Sequence, residues 1–385
     1  HEPTSSHTNC DHKLRRRRRE AEIPRRGPPW FAPEFRASVG EPLVGAIGMN
    51  VDQIAGRNGS GVGERPILSV SDLCVRLGGV DLVKDVAFDI NPKEIVGLVG
   101  ESGSGKTLTG LSLLRLLPGR SLSGSGRVLL HGDDLFTLSD TQLRKVRGRK
   151  ISMIFQEPMT ALDPVFSVGR QISETIQAHM KYSARQAKAL ATEALADVGI
   201  PSPHLRFDAY PHELSGGMRQ RVMIAMALVC EPSLLIADEP TTALDVTIQA
   251  QIMDLILAKC ARQGAALLLI THDLGVVSSY CSRVITMYAG EVVEDSPVEM
   301  SMRRPLHPYT SGLLRSAPRL SPRKSMLPVI RGRVPGASEM PAGCRFAPRC
   351  DFRSDPCGRE QSISVYDVRR VRCWKHEELK LSGVK

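Results

Sequence analysis

Five side chains of this sequence have the types and neighbours that phosphate chemistry needs: Lys106, Thr107, Asp238, Glu239 and His272. Lys106 and Thr107 close the run Gly100-Glu101-Ser102-Gly103-Ser104-Gly105-Lys106-Thr107, which fits G-x-x-x-x-G-K-[ST]. Glycines let successive backbone N–H groups curl round a phosphate, and the N-terminus of a following helix adds positive partial charge. In such a loop Lys106 reaches the β- and γ-phosphates and Thr107 ligates Mg²⁺. Asp238 and Glu239 end the apolar run Leu234-Leu235-Ile236-Ala237. That places two acids at the carboxyl edge of a buried strand, where ligands gather in a parallel sheet. Asp238 would hold Mg²⁺, directly or through water, and Glu239 would polarise an attacking water as general base. Two acids at a strand end are ordinarily exposed surface; the phosphate loop upstream makes them part of a nucleotide site.

The elements that must position these groups are legible as hydrophobic patterns. Residues 94–99 read as a strand entering the loop, and 108–117 as a helix leaving it. Residues 67–77 and 80–90 alternate as strands. Residues 150–155, 234–237 and 267–270 read as buried strands, and 171–200 and 216–230 as helices. Strands alternating with helices imply a parallel sheet with helices on its faces. The helical block between Gln156 and Arg221 reads as an inserted subdomain.

Composition narrows the class. A chain of 385 residues holds two domains, or one large domain with appendages. The longest apolar run, residues 265–270, is far too short to cross a bilayer. The net charge of +10 leaves nucleic acid, a membrane surface or a basic tail open. Part of it sits in residues 1–64, which include arginines at 15–19, show no helical or strand period and are expected to be disordered. No apolar stretch follows these arginines, so a signal peptide is not expected in this segment. It opens on His1, and Met49 is read as a candidate start. Nine cysteines, an odd number, together with a loop that needs an ATP pool, argue against a secreted disulfide framework.

Between the loop and the acids lies Tyr210-Pro211-His212-Glu213-Leu214-Ser215-Gly216-Gly217-Met218-Arg219-Gln220-Arg221. Here the sequence resembles the ATP-binding cassette (ABC) ATPases, whose signature motif "LSGGM" matches with Met218 in place of the usual Gln. Ser215 and two glycines open a helix, so a hydroxyl and bare N–H groups stand at the positive end of its dipole. The resemblance implies that Ser215, Gly216, Gly217 and Gln220, with the D-loop residue Asp245, act in trans on ATP held by another subunit, hence a dimer of cassettes. It further implies that Gln156 is the Q-loop glutamine, touching Mg²⁺ and the membrane partner, and that His272 in "ITHD" is the switch histidine at the γ-phosphate. One element departs: the aromatic that often stacks on adenine is replaced by Leu77. The implied fold is α/β, a P-loop NTPase (RecA-like) ABC nucleotide-binding domain over 65–318. It carries an inserted helical subdomain at about 157–227 and a small Cys-containing C-terminal extension over 319–385.

The strings "FQEPMTALDP" (155–164), "ADEPTTALDVTIQAQI" (237–252) and "HPYTSGLL" (307–314) resemble the oligopeptide/dipeptide permease ATP-binding subunits, D-type. That implies two transmembrane permease subunits, a second cassette of F-type in a heterodimer, an extracytoplasmic solute-binding protein acting indirectly, and no nucleic acid. Nickel, glutathione and some sugar importers share the subfamily. The cytoplasmic face of the membrane is the implied location. The alternative class is a soluble ABC ATPase acting on ribosome or nucleic acid. Against it, this chain carries one phosphate loop, one signature and one acidic strand end, where those factors usually carry two cassettes in one chain. Near the end stand Cys344, Cys350, Cys357 and Cys373, with His376 as a reserve ligand. Their spacing is looser than the C-x₂₋₄-C pairs zinc favours, while an iron–sulfur cluster needs four thiolates and tolerates varied spacing. Some members of the subfamily carry a [4Fe–4S] cluster in this segment, so it is the expected occupant, ahead of zinc or free thiols.

Overall fold

Two alternating runs, 67–77 and 80–90, each carry one apolar face that must be covered. The computed structural model describes residues 65–384 except 120, 158–160, 243–244, 318–328 and 337–338, so the reading of residues 1–64 lies outside the described residues. β1 (Leu68–Leu77) and β2 (Val80–Ile90) pair antiparallel across Gly78 and Gly79, both at positive φ. A two-residue hairpin of this hand needs such a pair. β3 is Ile95–Val99, β4 Leu122–Leu130, β5 Asp133–Asp134, β6 Ile151–Ile154, β7 Leu234–Asp238, β8 Ala266–Thr271, β9 Arg283–Tyr288 and β10 Glu291–Pro297. The short β11 (Ser364–Tyr366) and β12 (Arg369–Val371) come last. The small sheet runs β2-β1-β4-β5, and the large one β11-β12-β10-β9-β3-β8-β7-β6.

The large sheet is parallel from β9 to β6 and antiparallel beyond β9. β6, β7 and β8 are buried along their whole length, so both faces need cover. Alternate residues of β8 answer two different cores. Leu268 and Ile270 pack with Val70, Phe88 and Val128 of the small sheet, whereas Leu267 and Leu269 pack with Val222, Ile252 and Val277 of three helices. One face is thus covered largely by an antiparallel sheet rather than by helices as expected. The cause is the one-sided apolar pattern of β1, β2 and β4, which is satisfied by packing sheet on sheet.

The stretch expected as one helix over 171–200 is two, Val168–His179 and Ala184–Asp197. Ser183 starts the second with a reciprocal capping box: its hydroxyl accepts from the Gln186 N–H, and the Gln186 side chain accepts from the Ser183 N–H. The helix after the phosphate loop, Lys106–Leu113, is shorter than its apolar pattern, and Arg115 beyond it takes positive φ. The helical block shares its core with the sheet, since Ile172, Ile176 and Leu195 belong to the same cluster as Leu235.

The C-terminal extension is grafted onto the ATPase sheet. β12 pairs with β10 through Glu294↔Val371 and Asp295↔Arg370. The boundary expected at 318 falls at residues outside the description. Among the described residues no helix is long and apolar enough to cross a membrane.

Candidate nucleotide site

The phosphate loop leaves the buried end of β3 and turns directly into the helix Lys106–Leu113. Two glycines show why no side chain is tolerated there. At Gly100 a Cβ would stand 2.3 Å from the Met287 carbonyl oxygen; Gly105, which caps the helix, has φ +96. The loop is pinned from behind, as the Gly290 N–H donates to the Ser104 carbonyl at 2.9 Å. Lys106 is 6% exposed, and its ammonium donates to the carbonyls of Gly100 (2.9 Å) and Glu101 (3.1 Å). Burial lowers its pKa, against the pull of Glu239, Asp238 and Glu101.

The two oxygen ligands expected for Mg²⁺ meet across the sheet, Thr107 Oγ1 donating to Asp238 Oδ1 at 3.3 Å. Hard oxygen donors of this kind suit Mg²⁺. Burial pushes Asp238 up to about 6, with Thr107 opposing and the neighbouring Glu239 carboxylate adding to the rise. Glu239 follows at φ +45, a strained backbone for a residue with a side chain, secured by its N–H on the Ile270 carbonyl at 2.8 Å. Three side chains hold its carboxylate: Thr242 Oγ1 at 2.8 Å and Gln156 Nε2 at 3.1 Å on one oxygen, His272 Nδ1 at 3.0 Å on the other. Burial raises the Glu239 pKa, but His272, Thr242 and Lys106 together outweigh it and hold the group below its usual range. It is therefore ionised at neutral pH, able to accept a proton from water.

One open cavity of about 280 Å³ gathers Ser102, Gly103, Ser104, Gly105, Lys106 and Thr107 with Gln156 and Glu239. Gly100, Glu101 and Asp238 stand behind it, and His272 joins through Glu239. Ser215, Gly216, Gly217 and Asp245 do not line it. Ser215 and Asp245 are exposed and serve as N-caps, Ser215 accepting from the Met218 N–H at 3.3 Å and Asp245 from the Ile248 N–H at 3.0 Å. Gln220 is buried and donates to the Pro240 carbonyl, tying the helix Gly216–Leu228 to the turn that carries Glu239. Leu77 is 45% exposed and does not line the cavity either.

Sequence reasoning missed how the extension grips the loop. Arg349 forms a forked ion pair with Glu101, at 2.6 and 3.0 Å, and the Glu101 N–H donates to the Tyr309 hydroxyl at 2.8 Å. Tyr309, Tyr288 and Phe346 stack edge-on behind them. No local signal marks Arg349, one arginine in a segment rich in them.

The four terminal cysteines do come together around one small apolar cavity, shared with Phe346, Phe352 and Trp374. Burial pushes Cys344 up to about 12 and Cys373 up to about 11, and raises Cys350. Cys357 is held below its usual range, because hydrogen bonds from Ser354 and Trp374 outweigh burial. The donor type suits a thiolate-bound cluster. The spacing in this structure does not: the cavity measures about 20 Å³, space for about one water. Accordingly, no group of three or more His, Cys, Asp or Glu stands at metal-holding distances among the described residues. His376 is not placed as a reserve ligand. Its Nδ1 lies 2.7 Å from the Cys373 carbonyl, and its ring packs edge-on to Tyr366, away from the cavity lining.

Comparison with known proteins gives the family. The family described as "ABC transporter" matches residues 83–242, and "Oligopeptide/dipeptide transporter, C-terminal region" matches 293–357. A protein of Brucella abortus (strain 2308) named "Putative peptide import ATP-binding protein" is 48% identical over 313 residues, covering 80% of this chain and 94% of its own. A protein of the same description from Brucella ovis is 48% identical over 333 residues, covering 82% and 98%. Among solved structures, cbiO1 from Clostridium perfringens, part of the ABC transporter complex cbiONQ, is 30% identical with TM-score 0.53, covering 61% of this chain and 90% of its own. The cassette MJ0796, in a dimeric post-hydrolysis state bound to ADP and Pi, is 26% identical with TM-score 0.54, covering 60% and 98%. With the phosphate loop, the acidic strand end and the extension all in register, this chain belongs to the ABC transporter ATPases, as an ATP-binding subunit of the oligopeptide/dipeptide transporter type.

Proposed function

We propose that the chain energises import of di- or oligopeptides as the ATP-hydrolysing subunit of a membrane ABC importer, docked on two permease subunits at the cytoplasmic face of the membrane. The observation that carries this reading is the 48% identity to proteins named for peptide import across nearly their whole length, extension included. The related cargoes, nickel, glutathione and sugars, are outcomes of the same assay.

The chemistry follows from the chain's own groups. Lys106 leaves its loop carbonyls to meet the β- and γ-phosphates. Thr107 and Asp238 would hold Mg²⁺, which would supply positive charge to offset that of the phosphates. Glu239 accepts the proton of the attacking water. His272 holds the Glu239 carboxylate in place and stands beside the γ-phosphate position. Gln156 couples the same carboxylate to the helical subdomain, where a permease would dock. Positioning and charge neutralisation do most of the work. Ser215, Gly216 and Asp245 are exposed, and with Gly217 they would complete the site of a second cassette, an F-type partner. Cys344, Cys350, Cys357 and Cys373 would hold a [4Fe–4S] cluster, with zinc as the alternative; such a group, when bound, would cross-link the loops of the extension. Its presence requires those loops to open, and iron and sulfide content with visible absorbance on anaerobically purified protein decides the matter.

The test of function is co-purification of the tagged chain from detergent-solubilised membranes. Two multi-span permeases and a second cassette are expected, with ATPase activity stimulated by a peptide-loaded binding protein. Ribosomal proteins or nucleic acid without a permease would overturn the reading.

A further inference from the structure

We propose that the C-terminal extension supplies the base-binding wall of this chain's own nucleotide pocket, with Met340 and Pro335 standing where a stacking aromatic is missing. The inference rests on the reading of the site as an ATP site and adds what grips the base. The cavity that holds the phosphate loop is lined by Lys106, Thr107, Gln156 and Glu239, and also by Asp81, Leu82, Ala289, Pro335 and Met340. The charged and polar groups suit phosphates, and the apolar side chains of Pro335 and Met340 suit a flat, weakly polar purine. The strand position that would offer an aromatic carries Leu77, which is outside this lining. Met340 and Pro335 are both half-buried. A methionine thioether against an aromatic ring is a favourable contact, and the flexible side chain adapts to the ring it meets.

Met340 is not a free loop residue. It packs on the cluster of Tyr288, Tyr309 and Phe346. That cluster also fixes the loop, because the Tyr309 hydroxyl accepts from the Glu101 N–H and Arg349 grips the Glu101 carboxylate. The wall for the base and the cradle for the phosphates therefore hang from one support, which sets their separation. An extension built this way makes nucleotide binding by the cassette depend on the extension being seated.

The experiment compares two ligands on the full chain by calorimetry with Mg²⁺: ATP, and inorganic tripolyphosphate, which has the phosphates and no base. For Met340→Ala the Kd for ATP is expected to rise about three- to tenfold, the range of a sulfur–aromatic contact, while the Kd for tripolyphosphate stays within about twofold. Met340→Phe is expected to restore ATP affinity. Pro335→Gly, outside the aromatic cluster, is expected to shift the same ratio in the same direction. Because the readout is a ratio, a partly unfolded sample does not imitate the effect. Equal weakening of both ligands, or no change in either, would overturn the assignment. Failure of the wild-type chain to bind either ligand would instead overturn the underlying reading of an ATP site.

Discussion

Glu239 illustrates how much one residue's surroundings decide. Its carboxylate is charged because two donors, His272 and Thr242, and the nearby Lys106 ammonium outweigh burial, and a charged carboxylate is what a water-activating base requires. Glu239→Gln keeps the shape and the hydrogen-bonding reach but cannot take the proton. ATP binding is expected to persist while turnover falls about 10²- to 10⁴-fold, measured as phosphate release beside nucleotide affinity; near-normal turnover would remove Glu239 from the role. A second residue predicts a pH effect. His307 is fully buried beside Arg372, and burial pushes its pKa down to about 3. Its neutral Nδ1 accepts the Tyr309 N–H at 3.1 Å, capping the helix Pro308–Ser316. The unfolded chain binds a proton there below about 6.5 and the folded chain does not until about 3. The contribution is therefore intact above about 6.5 and is lost as pH falls towards 3, at up to about 1.4 kcal/mol per pH unit. Glu294 accepts from the Leu306 and His307 N–H groups, and burial raises its pKa, so it tilts the dependence the other way. Urea titrations of wild type against His307→Asn cancel that contribution. The wild type should lose the extra stability between pH 6.5 and 5, and parallel curves for the two proteins would refute the assignment.

At the scale of elements, the extension and the phosphate loop are joined by one forked ion pair. Arg349 has a side chain 5% exposed against 29% for Glu101, so the pair is sheltered on one side only. Arg349→Ala is expected to cost about 2 kcal/mol, the size of hydrogen bonds to a charged group, and to weaken ATP binding by freeing the loop. In a double-mutant cycle, Glu101→Ala with Arg349→Ala should cost less than the sum of the singles; strict additivity would show the pair to be idle. This contact also marks the limit of what the chain reveals before it folds. The phosphate loop and the acids after β7 were legible because each is a contiguous pattern next to a buried strand. The break at Ser183 was legible too, in the S-x-x-Q box, yet the apolar period running through it masked the signal. Arg349, Tyr309 and Met340 reach the site across more than two hundred residues, and no local spacing encodes such a meeting. The antiparallel sheet escaped for a related reason: β4 carries Ser123, Gly124, Ser125 and Gly126, so half its length has no apolar alternation.

At the scale of the whole molecule, the phosphate loop and the signature residues stand apart. Its own cavity offers the loop, Gln156 and Glu239, while Ser215 and Asp245 stand exposed elsewhere on the same chain. A helix N-terminus opened by Ser215, Gly216 and Gly217 is a good anion cradle, and none of these three residues lines the cavity that holds the phosphate loop. If the cradle closes on nucleotide held by another cassette, two predictions must hold together. With ATP, Mg²⁺ and the Glu239→Gln substitution, which halts turnover, the chain should pair with a second cassette, and sedimentation should register the mass of two. Adding Ser215→Arg places a long charged side chain in the cradle and should weaken that pairing at least about tenfold, a loss of about 1.4 kcal/mol. It should leave ATP binding by the single chain unchanged, because Ser215 lies outside the cavity. Pairing that survives Ser215→Arg would mean the two cassettes meet through another face. A loss of ATP binding by the single chain would mean the cradle serves its own pocket after all. Only loss of pairing with binding preserved fits a site shared between two chains.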